Sequence, residues 1–179
     1  MTQSNNPSYP FRLNIPNGWK EEIIPLPPEF ASDMTLPGKE YIHFSPGMMQ
    51  FEKLDFFTYS FVFVGNAPSP SLQVIMENLK SYYQGLQAAV LGSKKLSPES
   101  LAEKNITVEV SCSEGEVLTG EILWTEPFVT MKQQRLFFSA VRKQTESHYG
   151  LHFVASPVSP SEKIWTETLF PIQDSFKLK

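Results

Sequence analysis

Four segments of two-residue periodicity follow one another between residues 106 and 155, and their short connections constrain the fold more than any other feature. Ile106, Val108, Val110 and Cys112 alternate with Thr107, Glu109 and Ser111. Residues 117–125, 135–142 and 148–155 read as the next three strands. Successive side chains of a strand point to opposite faces, so this alternation predicts half-buried strands. Ser113-Glu114-Gly115 supplies turn chemistry between the first two. Connections this short leave no room for a crossover, so the four strands are predicted to pair as an antiparallel meander.

Upstream, residues 1–10 are polar with two prolines and read as a flexible tail, leaving 11–179 as a single domain. Phe11-Arg12-Leu13-Asn14-Ile15 alternates, Pro16-Asn17-Gly18 is a turn, and residues 19–24 resume an extended segment. The pair predicts a hairpin. Pro25-Leu26-Pro27-Pro28 interrupts regular structure and opens a long loop to Gly38. Residues 40–44 predict a short strand that Ser45-Pro46-Gly47 ends. Residues 55–64 carry Phe56, Phe57, Tyr59, Phe61, Val62, Phe63 and Val64, apolar on both faces at the far end. That predicts a central strand covered on both sides.

Two helices complete the pattern. After Ser69-Pro70-Ser71, residues Leu72, Ile75, Leu79, Tyr82, Leu86 and Val90 form one apolar stripe, with Gly92 placed to close the helix. Ser159-Pro160-Ser161-Glu162 has the form of a capping box. Ile164, Thr168, Ile172 and Phe176 then recur every four residues, with Pro171 expected to kink or split the helix. The expectation is an α+β layered sandwich: a mostly antiparallel six- to seven-stranded sheet with a central helix and a C-terminal helix.

Bulk properties exclude several classes. With 179 residues, 41% apolar and 19% charged, the chain can bury a core without metals or disulfides. A net charge of −4 supplies no basic face for phosphates, so no nucleic-acid partner is expected. No apolar stretch is long enough for a membrane span. Cys112 is the only cysteine, which forbids an intrachain disulfide and a cysteine-based zinc site. No basic region followed by an apolar run opens the chain, so the expected address is cytoplasmic, with export after signal-peptide removal as the alternative. No phosphate loop, nucleotide fingerprint or calcium loop is visible, and no cofactor is expected.

The order of elements, with Pro16-Asn17-Gly18-Trp19 after the early strand and Ser175-Phe176 at the end of the last helix, resembles the PsbP-like superfamily. That group includes an extrinsic subunit of the oxygen-evolving complex and the Mog family of Ran-binding import factors. Residues 25–30, Gly38-Lys39-Glu40 and Phe44-Ser45-Pro46-Gly47 also resemble segments of a family of uncharacterised bacterial proteins. The superfamily resemblance implies binding or accessory roles; the bacterial family implies a bacterial source and transfers no functional residue.

Three functional readings follow from the residues. The first is a non-catalytic binding or accessory module. The loop carrying Met48, Met49 and Phe51 would take a protein partner or a small apolar ligand, because methionines adapt to irregular apolar surfaces. The second is a small hydrolase using Ser139 with His148 or His152 and Glu121. Hairpin pairing would set Ser139 opposite Gly150 with both histidines diagonal to it, and a serine nucleophile needs such a base and a carboxylate to orient it. No Gly-x-Ser-x-Gly elbow supports it. The third is a structural subunit, a homodimer pairing through a sheet edge. His148 and His152 lie about 13 Å apart on one strand, too far to share a metal. Glu109 and Glu121 are expected on one wet face of the 106–125 hairpin.

Overall fold

A computed structural model describes residues 2–3, 8–112 and 117–179. The turn expected at Ser113-Glu114-Gly115 lies outside the described residues. In chain order the elements are β1 (Thr2–Gln3), β2 (Phe11–Arg12), β3 (Asn14–Ile15), β4 (Lys20–Leu26), β5 (Gly38–Phe44), β6 (Tyr59–Gly65) and α1 (Leu72–Ser93). They continue with β7 (Thr107–Cys112), β8 (Val117–Thr125), β9 (Gln133–Gln144), β10 (Tyr149–Ser156), α2 (Phe170–Asp174) and β11 (Lys177–Leu178).

The main sheet has seven strands in the order β4-β5-β6-β10-β9-β8-β7, and every neighbouring pair is antiparallel. The meander forms as the periodicity predicts, and β6 docks against its last strand. Alternation then sorts β6 between two cores. Tyr59, Phe61 and Phe63 face α1 together with Ile75, Leu79 and Tyr83. Val62 and Val64 face a second layer of Tyr9, Phe11, Leu13, Ile15, Trp165, Leu169, Ile172 and Phe176. Helix, sheet and second layer form an α+β sandwich, with β6 and β10 buried along their whole length.

Several local expectations are corrected. Residues 11–24 form no hairpin. β2 pairs with β11, β3 with β1, and β4 with β5, because burying Phe11, Leu13 and Ile15 against α2 outweighs closing a local turn. Pro25 does not end its strand: it sits opposite Lys39 inside β4. β4 is an edge strand, the place in a sheet where proline is tolerated. The segment 55–64 becomes a strand only from Tyr59, since Phe57 takes a left-handed conformation at φ +49°.

The helix ends also differ in detail. α1 starts as expected, with the Ser71 hydroxyl accepting from the Val74 N–H at 3.3 Å. Its left-handed closing residue is Lys95, not Gly92, which remains helical. The Ser159 box does not form, because the Glu162 N–H bonds the Ser159 carbonyl instead. Pro171 is accommodated by a π-helical turn, Trp165–Leu169, in which the Phe170 N–H reaches the Trp165 carbonyl. The proline then occupies the first turn of α2, where a missing donor costs little. In the stretch read as a tail, Thr2–Gln3 pairs with Asn14–Ile15 and Tyr9 donates to Glu21 Oε1 at 2.6 Å.

Candidate functional site

A cleft of about 630 Å³ opens between the β4–β5 edge, α1 and the loop after β5. Three local devices hold it open. The Asn78 side chain on α1 accepts the backbone N–H groups of Thr35 and Leu36 at 2.8 and 3.0 Å, pinning the β4–β5 connection to the helix. That contact seats Phe30 edge-to-face on Tyr82, 5.1 Å between ring centres. The loop carrying Met48 is tied by Asp55, whose carboxylate accepts the Gly47 N–H at 2.9 Å while its carbonyl accepts the Ser45 hydroxyl at 2.7 Å. A Cβ at Gly47 would fall 2.0 Å from the Asp55 carboxylate, so this close approach requires glycine. On the opposite rim, the Glu126 carboxylate accepts the N–H groups of Phe128, Val129 and Thr130 and fixes the Phe128 ring.

The lining is overwhelmingly apolar, with Ile24, Ile42, Met48 and Leu86 between the rings of Phe30, Phe44, Phe57, Tyr59, Tyr82 and Phe128. Polar chemistry lies directly behind this wall. Glu40 is 1% exposed, and its Oε2 has no hydrogen-bond partner among the described residues. Burial pushes its pKa up to about 8; hydrogen bonding with Tyr82 offsets part of that rise and the Glu22 charge adds to it. The carboxyl is therefore mainly neutral at pH 7. The Tyr59 and Tyr83 hydroxyls hydrogen-bond each other in the same region, and burial raises both pKa values. Depth, an apolar lining and a perturbed acid together are the usual signature of a ligand site.

The opposite face of the sheet buries a second set of polar groups. The Glu21 carboxylate meets His43 Nε2 at 2.9 Å, and Ser60 Oγ meets His152 Nε2 at 2.8 Å. Among the described residues neither imidazole has a partner for its Nδ1, and burial lowers both pKa values, that of His152 to about 3. The second layer covers them, with the Phe176 ring 5.0 Å from His152. These contacts fix neutral histidines inside a core.

The residues singled out from sequence divide accordingly. Met48 is buried and lines the cleft; Met49 lines it at 50% exposure; Phe51, at 61%, projects beyond it. The hydrolase grouping is not assembled. Ser139 lies opposite Val154 rather than Gly150, a four-residue shift of register that leaves only His152 diagonal to it. Ser139 donates to Gln173 Oε1 at 2.9 Å, His152 is taken by Ser60, and Glu121 binds Arg135 at 2.9 and 3.1 Å. His148 ends the turn that leads into β10, its ring bonded to Ser147. Glu109 and Glu121 face each other across β7 and β8, as expected. Among the described residues no cluster of His, Cys, Asp or Glu could hold a metal ion.

Sequence reasoning missed Glu40 and Tyr82. The signal for Glu40 was its phase: it shares the inward face of β5 with Ile42 and Phe44. Tyr82 was read only as part of the apolar stripe of α1. Among the described residues no helix is long and apolar enough to cross a membrane. No protein-family model and no curated protein matches this sequence.

Proposed function

We propose that this protein is a non-catalytic binding module whose cleft between α1 and the β4–β5 edge holds a small apolar ligand. The observation that carries this reading is the cleft itself: about 630 Å³, lined by six aromatic rings, Met48 and Met49. Pockets of that size and composition bury most of a small molecule, and methionines let the wall adapt to its shape. The resemblance to the PsbP-like superfamily, which implies binding or accessory roles, supports it. A docking role for a protein partner draws on a different observation, the exposure of Phe51 at 61% and Leu54 at 87% on the neighbouring loop.

The uncharged dye N-phenyl-1-naphthylamine tests the ligand reading, since its fluorescence rises in apolar surroundings. One saturable site is expected. Leu86→Trp, which fills the cleft from α1, is expected to weaken binding about tenfold or more. Phe51→Ser, outside the cleft, is expected to leave it unchanged. Non-saturable binding, or equal affinity for a folded Leu86→Trp variant, would discard the proposal.

A further inference from the structure

We propose, resting on the reading of this cleft as a ligand site, that its occupant is an organic cation: an ammonium head carried on an apolar chain or ring. Three observations converge on this chemistry. The first is the wall. Phe30, Phe44, Phe57, Tyr59, Tyr82 and Phe128 surround one cavity. The face of an aromatic ring carries negative potential, so a ring-lined cavity attracts a desolvated cation and disfavours an anion.

The second is the unmet oxygen of Glu40. The residue stands behind three lining residues: Ile24 across the strand pair, Ile42 two positions on, and Tyr82 on the helix. A buried carboxyl oxygen without a partner costs free energy, which a positive group nearby would recover. The third is the placement of charge. Among the described residues Lys20 is the only basic one in the lining; it is exposed at the rim, next in phase to Glu22, which is exposed there too. Acid lies deep and the sole base lies outside, the polarity that receives a cation head-first.

A neutral occupant would bring no charge to the Glu40 oxygen, and a carboxylate would meet aromatic rings and an acid. The groups that face Glu40 are Glu22 on β4, Tyr82 and Tyr83 on α1, and Tyr59 on β6. None of them supplies a positive charge. On its own, burial keeps Glu40 protonated at neutral pH, with a pKa of about 8. Arrival of the cation favours the carboxylate, so the Glu40 proton passes to solvent as the ion pair forms. Binding at pH 7 then releases about one proton.

Three probes with one chain separate the alternatives: decyltrimethylammonium, decanol and decanoate, titrated below their micellar concentrations by calorimetry in two buffers of different ionisation enthalpy. The ammonium is expected to bind about tenfold or more tighter than decanol, with release of about one proton. Glu40→Gln is expected to abolish that preference and the proton release. Equal affinity for the ammonium and the alcohol overturns the head-group proposal and leaves the apolar-ligand reading standing, as does a preference that survives Glu40→Gln. Tightest binding of decanoate overturns it in favour of Lys20 as an anion anchor. Failure of all three probes to saturate removes the ligand reading itself. If Glu40→Gln does not fold, the comparison of head groups on the unaltered protein decides.

Discussion

At pH 7 the Glu40 carboxyl keeps its proton in the folded chain and gives it up in the unfolded one, because burial raises its pKa from 4.5 to about 8. The sign of the linkage follows. The folded state binds more protons between those two values, so stability is full below pH 4.5 and is lost as pH rises to about 8. Glu40→Gln keeps the shape and removes the ionisation. The variant is expected to match the natural protein near pH 5 and to melt roughly 5–10 °C higher at pH 9, the shift that a few kcal/mol produces in a domain of this size. Scanning calorimetry at the two pH values checks it, and parallel curves would show that Glu40 does not titrate in the core. The histidines act with opposite sign. Burial depresses His43 and His152, so the stability tied to their neutral forms is present above pH 6.5 and is lost as pH falls toward the folded value, about 3 for His152. The same chain thus carries a buried acid that costs stability in base and two buried imidazoles that cost stability in acid, on opposite faces of one sheet.

The elements that sequence alone makes legible are those whose signal is local. The meander and α1 follow from periods of two and of three to four that an isolated segment already displays. Pairing partners are not local. Phe11-Arg12-Leu13-Asn14-Ile15 alternates as a strand should, yet nothing in it says that Phe11 pairs with Leu178, 167 positions away, rather than with the segment beyond Gly18. The site divides in the same way. Met48 and Met49 advertise a cleft wall by composition, whereas Glu40 and Tyr82 meet only because α1 lies over β5, a relation no sequence window contains. Two glycines on α1 give this packing a direct test. A Cβ at Gly85 would fall 1.9 Å from the Phe30 carbonyl, while one at Gly92 would meet nothing within 4 Å. Helix propensity alone predicts that alanine at either site adds up to about 1 kcal/mol. Gly92→Ala is expected to show that gain in urea unfolding. Gly85→Ala is expected to lose about 1–3 kcal/mol, because α1 must lift off the segment that seats Phe30. A gain at both sites would mean that the helix does not press on that segment.

Scaled up to the whole molecule, the consequence of a sheet buried on both faces is that the two cores share their central strands. Phe61 and Phe153 stack 4.6 Å apart in the core under α1, and one residue further along the same strands Val62 and Val154 belong to the other core. A disturbance in the second layer therefore reaches β6 and β10 without passing through any loop. Phe11 is the probe for this. It is fully buried, edge-to-face with Tyr41 at 4.9 Å and 6.0 Å from the Phe176 ring. Phe11→Ala is expected to cost about 3–5 kcal/mol, the usual result of emptying such a site. If both layers form one cooperative unit, amide exchange at Leu79 in α1 and at Phe61 in β6 accelerates by the same factor as exchange at Leu178 in β11. Exchange accelerated only in β2, β11 and α2, with Leu79 unchanged, would instead mark the second layer as an independently opening unit. The shared strands favour the first outcome. Every residue of β6 and β10 is buried, so neither core can loosen there without exposing apolar surface of the other.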